Sequence, residues 1–221
     1  MKHLVIAIDG PSGSGKSTAA RSVADQLGLG YLDTGAMYRA VGWEALNSSV
    51  DLGDPDAIAA MALQAEVRVA TDPHHPSVRV NGHDVTEAIR EPGISSMVSK
   101  VAVVPAVREH LTRLMRQEIA AHNRRIVLEG RDITTVVAPD ADVRVLLVAD
   151  PAERVRRRQG ELGDKVTQEA VTDQVVRRDR DDSAASNFTD AAEGVTVIDS
   201  TLLGPADVVA RIVELIEALE G

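Results

Sequence analysis

A phosphate-binding loop is the first stretch of this sequence whose residue types and spacing could do chemistry. Residues 10–18 match the pattern G-x-x-x-x-G-K-[ST] and follow directly on the apolar run Leu4–Ile8. Glycines and small residues let successive backbone N–H groups point inward and hold a phosphate where the next helix begins. We therefore predict that the loop binds a nucleoside triphosphate through Gly10, Pro11, Ser12, Gly13, Ser14, Gly15, Lys16, Ser17 and Thr18.

Two residues of the loop carry its specific chemistry. Lys16 would reach the β- and γ-phosphates as a flexible point charge, and the Ser17 hydroxyl would bind magnesium. The alternative is a glycine-rich turn that merely joins a strand to a helix. The apolar run before the loop, the helical pattern after it and the intact Lys-Ser pair favour phosphate binding.

The apolar pattern along the chain predicts an α/β fold. Continuous apolar runs such as Leu4–Ile8 and residues 143–148 are typical of parallel strands that are covered on both faces. Between such runs, apolar residues recur at helical spacing, for example after Lys16 and over residues 105–122. We predict a three-layer P-loop fold with a parallel sheet of five strands, near residues 4–8, 31–33, 126–129, 143–148 and 195–198.

Two segments depart from this alternation of strands and helices. Alternating valines over residues 67–80 predict an antiparallel hairpin, and Asn81-Gly82 predicts a tight turn after it. Residues 151–160 and 168–180 read as two charged helices with few apolar positions, so we expect this pair to move. We predict one domain, with a core of residues 1–62, 101–151 and 186–221, a β-containing insertion at about 63–100 and a helical lid at about 152–185.

Composition limits the classes of function. The chain of 221 residues has a net charge of −10, which argues against general nucleic-acid binding. Its lack of cysteine excludes disulfides and thiolate chemistry and favours the cytoplasm, and the first apolar run is too short for a membrane span. Eight of the basic residues lie within 151–182, a local focus that suits small polyanions. We expect a monomer that binds small nucleotides and neither nucleic acid nor membrane.

The motifs after the loop narrow the reaction. A GTPase would carry an Asn-Lys-x-Asp motif, which this chain lacks. Instead residues 33–39, then residues 129–132, then an arginine-rich helix pair follow the loop, and this order resembles that of the nucleoside-monophosphate kinases.

Five motifs make the resemblance narrower, and together they resemble those of the bacterial cytidylate kinases. They are Ile-Asp-Gly-Pro-Ser-Gly at 8–13, Leu-Asp-Thr-Gly-Ala-Met-Tyr-Arg at 32–39, Val-Pro-Ala-Val-Arg at 104–108, Glu-Gly-Arg-Asp-Ile at 129–133 and Arg-Asp at 178–179. The resemblance covers nearly the whole chain, including the insertion. It implies an enzyme of pyrimidine nucleotide metabolism that uses ATP and magnesium to phosphorylate CMP or dCMP.

The resemblance also implies roles for individual residues. Catalytic roles would fall to Lys16, Arg131 and Arg178. The acceptor nucleotide would be bound by Thr34, Arg108 and Asp132 at the cytosine, by Arg39 and Arg131 at the phosphate, and by Ser99, Arg178 and Asp182 near the sugar and phosphates.

Each of these residues also has a purely structural interpretation. Thr34 could cap its helix, Arg39 and Arg108 could be exposed helix arginines, and residues 129–132 could form a polar turn. The motifs favour the functional interpretation jointly more than singly.

The chain departs from the family pattern at two positions. Ala185 stands where the family usually has a second arginine, seven positions after Arg178, and we expect Arg180 to substitute for it. Thr134 stands where a glycine usually follows Asp-Ile. The departures affect the acceptor-phosphate site and the hinge and leave the phosphate loop unchanged.

Elementary chemistry explains why arginine dominates these motifs. A nucleoside monophosphate is largely dianionic at neutral pH, so it needs no general base, and the main obstacle is repulsion between two polyanions. Two alternatives stay open: a kinase for an alcohol acceptor, with Asp33 or Asp132 as base, and a regulatory module that binds ATP without turnover.

The remaining residues of special chemistry predict no further site. The six histidines show no metal-ligand spacing and are expected at turns or on helix surfaces. Trp43 and Phe188 are expected to pack rather than to stack on a base.

Overall fold

The computed structural model describes residues 2–162, 171–172, 180 and 190–219, and a parallel sheet lies at its centre. The described strands are β1 (Leu4–Asp9), β2 (Gly30–Asp33), β3 (Val67–Val69), β4 (Val78–Val80), β5 (His83–Asp84), β6 (Arg125–Gly130), β7 (Val143–Val148) and β8 (Thr196–Asp199). The central sheet has the order β2-β6-β1-β7-β8, and its neighbouring strands all run parallel. This confirms the five predicted strands, with small shifts at their ends.

Helices cover both faces of this sheet. The described α-helices are α1 (Lys16–Leu27), α2 (Thr34–Asn47), α3 (Pro55–Gln64), α4 (Pro92–Ala102), α5 (Pro105–Ala121), α6 (Pro151–Leu162) and α7 (Pro205–Glu217). Alternate residues of β1 point to opposite faces, so Ile6 and Ile8 pack with α1 and α7, while Val5 and Ala7 pack with α2, α3 and α5. The result is the predicted three-layer arrangement.

Local signals explain where the helices around the site begin. Asp33 caps α2, because its Oδ1 accepts a hydrogen bond from the Ala36 N–H at 2.9 Å. Asp54 caps α3 in the same way, just before Pro55. Gly28 ends α1 with a φ of +59°, a left-handed conformation that favours glycine.

The predicted hairpin forms a second, smaller sheet of order β3-β4-β5. Asn81 and Gly82 have φ values of +49° and +81°, as a tight turn with two left-handed residues requires. This sheet packs on α2 through a separate apolar cluster that includes Ala40 and Val80, and Trp43 packs against the same cluster, as predicted. Helix α4 follows within the same segment, where the sequence suggested no helix.

Two predictions concern residues outside the described parts of the chain. Most of the predicted helix 168–180 falls there, and so does Phe188. Within the described ranges, no helix combines the length and the apolar character needed to cross a membrane.

His110 differs from the expectation that the histidines lie at turns or on helix surfaces. Its side chain is buried within α5, and its Nδ1 accepts a hydrogen bond from Arg113 Nη2 at 2.7 Å. Burial lowers the pKa of His110, and the neighbouring Arg113 charge lowers this pKa further. Position 110 lies on the buried side of α5 with Val107 and Leu111, but the residue type suggested the surface.

This burial predicts how stability depends on pH. Because the pKa of His110 is lower in the folded protein than in the unfolded chain, the unfolded chain binds the proton more readily as the pH falls. The free energy of unfolding should therefore be lower at about pH 5.5 than at about pH 7.5. Urea unfolding at both pH values measures this drop, and His110→Gln should reduce it. An equal drop in the variant would contradict the assignment.

Candidate active site

A cavity of about 500 Å³ opens at the carboxyl ends of β1, β2 and β6. Ligands of open parallel sheets bind at this edge. One end of the cavity is lined by the phosphate loop, and the other by α2, α4, α5 and the residues that follow β6. Residues predicted for the two nucleotides are thus brought to one space: Ser12, Gly13, Gly15, Lys16, Ser17, Thr18, Thr34, Arg39, Arg108, Arg131 and Asp132.

The phosphate loop has the tight curvature that its sequence predicts. Gly13 and Gly15 have φ values of +79° and +90°, which favour glycine. Lys16 Nζ lies 3.5 Å from the Pro11 carbonyl and 3.8 Å from Glu129 Oε2, so its charge stands at the mouth of the loop. The loop joins β1 to α1 directly and therefore faces the cavity from the centre of the sheet.

Glu129 is a site residue that the sequence did not single out beyond its motif. It is 3% exposed, and its Oε1 accepts hydrogen bonds from Ser17 Oγ at 2.7 Å and from Tyr31 Oη at 3.4 Å. Burial raises the pKa of Glu129, and the charge of Asp33 on the neighbouring strand raises it further. A carboxylate at the end of a predicted buried strand was the signal that could have identified it.

The carboxylate of Asp33 is held differently. Its Oδ2 accepts a hydrogen bond from Arg39 Nη2 at 2.8 Å while its Oδ1 caps α2. Burial alone would raise the pKa of Asp33, but Arg39, the Ala36 N–H and Lys16 together lower it below its ordinary value. Arg39 is therefore an ion-paired group in this state, and the pair lines the cavity.

A second ion pair lies at the other end of the cavity. Arg108 of α5 donates to Asp132, which is buried just after β6. Burial raises the pKa of Asp132, although Arg108 opposes the effect. Tyr38 lies beside this pair, and burial raises its pKa to about 12. The guanidinium of Arg108 and the carboxylate of Asp132 thus lie side by side and are largely shielded from solvent.

Thr34 and Arg131 also line the cavity. The Thr34 hydroxyl donates to the Glu129 carbonyl at 2.8 Å, so it does not cap α2, which Asp33 does. Arg131 donates to the Gly10 carbonyl and lines the cavity. Thr34 thus links the start of α2 to β6, and Arg131 links the residues after β6 to the phosphate loop.

Some predicted site residues are not part of this cavity wall. Gly10, Pro11 and Ser14 of the phosphate loop do not line the cavity. Ser99 lies on α4 and does not line it, and Arg180 is exposed and does not line it either. Arg178 and Asp182 lie outside the described residues, as does Ala185. Their roles and the substitution of Arg180 for the missing arginine stay predictions.

The structure gives a reason for the threonine at position 134. The buried carboxylate of Asp9 accepts three hydrogen bonds, from Thr134 Oγ1 at 2.7 Å, from Thr134 N at 2.8 Å and from Ile133 N at 2.9 Å. Burial raises the pKa of Asp9, and these three bonds oppose the shift. Asp9 thereby fixes the turn that carries Arg131 and Asp132, and a glycine at 134 could not supply the hydroxyl.

Removal of this hydroxyl should destabilise the fold. Thr134→Val keeps the shape of the side chain but removes one of the two donors to the buried Asp9 Oδ2. The free energy of unfolding should therefore fall by about 1–3 kcal/mol. Urea denaturation measures the change. Thr135→Val is the matched control, because Thr135 is exposed in the same turn, and it should leave stability within about 0.5 kcal/mol of wild type. Equal effects of the two variants would contradict the role of the Thr134 hydroxyl.

A parallel sheet whose central strand ends in a phosphate loop, facing a cavity lined by arginines, defines the class of P-loop kinases. Residues 6–218 match the family described as cytidylate kinase, and the chain belongs to that family.

Individual relatives agree with this membership. The chain is 53% identical over 214 residues to the cytidylate kinase of Cutibacterium acnes, with 96% of each chain covered. It is 44% identical over 216 residues to the cytidylate kinase of Streptomyces coelicolor, with 97% of this chain and 93% of that protein covered. An uncharacterised protein from Eubacterium ventriosum shares the fold, with a TM-score of 0.54, 12% identity and coverage of 98% and 99%.

Proposed function

We propose that this protein transfers the γ-phosphoryl group of ATP to CMP or dCMP, giving ADP and CDP or dCDP. Membership of the cytidylate kinase family supports the reaction. The observation that carries the proposal is one continuous cavity with the phosphate loop at one end and the Arg108–Asp132 pair at the other. Such a cavity can hold a triphosphate donor and a base-bearing acceptor with their phosphates facing each other.

Recognition of the base follows from the chemistry of the ion pair. The amino group of cytosine is a donor and its ring nitrogen and carbonyl oxygen are acceptors, so a carboxylate beside a guanidinium complements it. Uracil presents a carbonyl in place of the amino group, which would leave Asp132 facing another acceptor. The Thr34 hydroxyl donates its hydrogen bond to the Glu129 carbonyl, so its oxygen can still accept a hydrogen bond from the same base.

The cationic side chains that line the cavity suit phosphoryl transfer. Two unit charges of the same sign about 4 Å apart repel by about 4 kcal/mol at an effective dielectric constant of 20, so the reacting phosphates need several cations around them. Lys16 and Arg131 line the cavity, and Arg39 can exchange the Asp33 carboxylate for the acceptor phosphate. The reaction then depends on positioning and on charge stabilisation.

The residues around Ser17 fit a magnesium ion. Magnesium prefers oxygen ligands, and the Ser17 hydroxyl lies beside the buried carboxylate of Glu129. Ser17 would hold the ion. Glu129 would accept a hydrogen bond from the Ser17 hydroxyl, which leaves a lone pair of the Ser17 oxygen for the metal. A magnesium ion held there would supply neutralisation of the phosphate charge.

The kinase for an alcohol acceptor has less support. It requires a general base, but Asp33 is already committed to Arg39 and to the start of α2, and Asp132 is ion-paired with Arg108. The lowered pKa of Asp33 makes its carboxylate a weaker base still. We further propose that Ser99, Arg178 and Asp182 contribute to nucleotide binding and that the protein acts as a monomer in cytoplasmic pyrimidine metabolism.

A substrate panel tests the proposal. ADP release with ATP and magnesium should be fast with CMP or dCMP, slower with UMP and slowest with AMP, and it should be near background without an acceptor. A preference for AMP or for an alcohol would reject the cytidylate assignment. Binding of ATP without turnover on any acceptor would support the regulatory module instead.

A further inference from the structure

The phosphate loop is held from outside by three side chains that we call the loop clamp: Arg154, Arg157 and Ser200. Both arginines lie on α6, and Ser200 directly follows β8. Arg154 Nη1 donates to the Ser12 carbonyl at 3.2 Å, and Arg157 Nη1 donates to the Ser14 carbonyl at 3.4 Å. Ser200 Oγ donates to the same Ser14 carbonyl at 2.9 Å.

Ser200 is the centre of the loop clamp. It is 1% exposed, and its hydroxyl accepts a bond from Arg157 Nη1 at 3.0 Å while it donates to Ser14. Arg157 Nη2 also donates to the Ser200 carbonyl at 2.6 Å, and the Ser200 N–H donates to the Val148 carbonyl on β7 at 2.8 Å. The Ser200 hydroxyl is therefore fixed both as a donor and as an acceptor, and the Ser200 backbone is bonded to the sheet.

The loop clamp fixes the direction of two peptide groups. In a planar trans peptide the carbonyl and the following N–H point in opposite directions. When the Ser12 and Ser14 carbonyls are held outward, the N–H groups of Gly13 and Gly15 are turned the other way. Both glycines line the cavity, which is where these N–H groups would meet the phosphates.

We propose that Ser200 is a positioning residue for the triphosphate nucleotide. It acts through the Ser14–Gly15 peptide and keeps the loop in its anion-binding shape before the nucleotide arrives, so less ordering is needed on binding. The inference rests on the proposed function only for the identity of the nucleotide.

Substitution of Ser200 tests the inference. Ser200→Ala removes the donor to Ser14 and the acceptor for Arg157, so the Kd for ADP and the KM for ATP should each rise about tenfold. The KM for CMP should stay within about twofold, because the acceptor end of the cavity is untouched. Ser200→Thr keeps the hydroxyl and should restore most of the affinity for ADP. Calorimetry gives the Kd, and steady-state kinetics with each substrate varied gives both KM values.

Ser48→Ala is the matched control. Ser48 Oγ donates to Glu44 Oε1 at 2.6 Å at the end of α2, so this variant also loses a side-chain hydrogen bond. It should lower stability without a change in the Kd for ADP. If Ser200→Ala does not fold, Ser200→Cys, which keeps the volume but has only a weak donor, takes its place.

Three results would overturn the inference: a Kd for ADP within twofold of wild type in folded Ser200→Ala or in the Ser200→Cys variant that replaces it, equal rises of the two KM values, or the same rise of the Kd for ADP in Ser48→Ala. ADP binding does not involve the acceptor. A wild-type protein that binds ADP but does not phosphorylate CMP would therefore contradict the proposed function alone.

Discussion

Lys16→Ala should lower kcat at least about a hundredfold and leave the fold intact. Lys16 stands at the mouth of the phosphate loop, 3.8 Å from Glu129, where a flexible cation can follow the charge that moves during transfer. A hundredfold loss corresponds to about 2.7 kcal/mol of transition-state stabilisation, which is the range for one group that stabilises developing charge. Single-turnover kinetics with ATP and CMP measures the effect on the chemical step.

Lys2→Ala provides the control for this prediction. Lys2 precedes β1 and is exposed at the amino end of the sheet, whereas the cavity opens at the carboxyl end. The control should keep wild-type kcat and both KM values. Wild-type turnover in Lys16→Ala itself would mean that the loop does not serve the reaction.

Asp132→Asn should lower kcat/KM for CMP about a hundredfold and reduce the preference for CMP over UMP at least about tenfold. Asp132 is buried against Arg108, and removal of its charge leaves that guanidinium without its carboxylate partner. The new amide can donate a hydrogen bond, which suits the carbonyl of uracil better than the amino group of cytosine. The KM for ATP should stay near the wild-type value.

Asp140→Asn is the matched control for the second prediction. Its carboxylate also pairs with an arginine, since Asp140 lies 3.1 Å from Arg124, but the side chain is 70% exposed. An exposed pair of this kind contributes little, so both acceptors should keep their wild-type kcat/KM. An unchanged ratio of CMP to UMP in Asp132→Asn would remove Asp132 from base recognition.

The parts of the fold that depend on neighbouring residues could be predicted from the sequence. The strand, loop and helix around Lys16 are consecutive in the chain, and their apolar spacing and glycines specify them locally. The turn at Asn81-Gly82 and the cap at Asp54 are equally local. Helix α4 was missed because its segment contains a glycine and three serines, which are weak helix formers, although Pro92 at its first position was a signal.

The contacts of the site depend on distant residues, and there the sequence was less informative. The motif identified Lys16 and Ser17, but the register that sets Asp33 beside Glu129 joins positions 96 residues apart. Ser200 reaches Ser14 because β8 lies beside β7 and β7 lies beside β1, the strand that leads into the phosphate loop. His110 shows the same limit, because the residue type did not indicate that its position on α5 is buried.

The strand order has a consequence for how the chain is made on the ribosome. The described contacts pair β1 only with β6 and β7, and β2 only with β6. No hydrogen bond of the central sheet can therefore form until residues 125–130 have been synthesised. At typical synthesis rates this wait is on the order of ten seconds. During that time the apolar segment Leu4–Ile8 has no sheet partner, so it is open to aggregation or to binding by a chaperone.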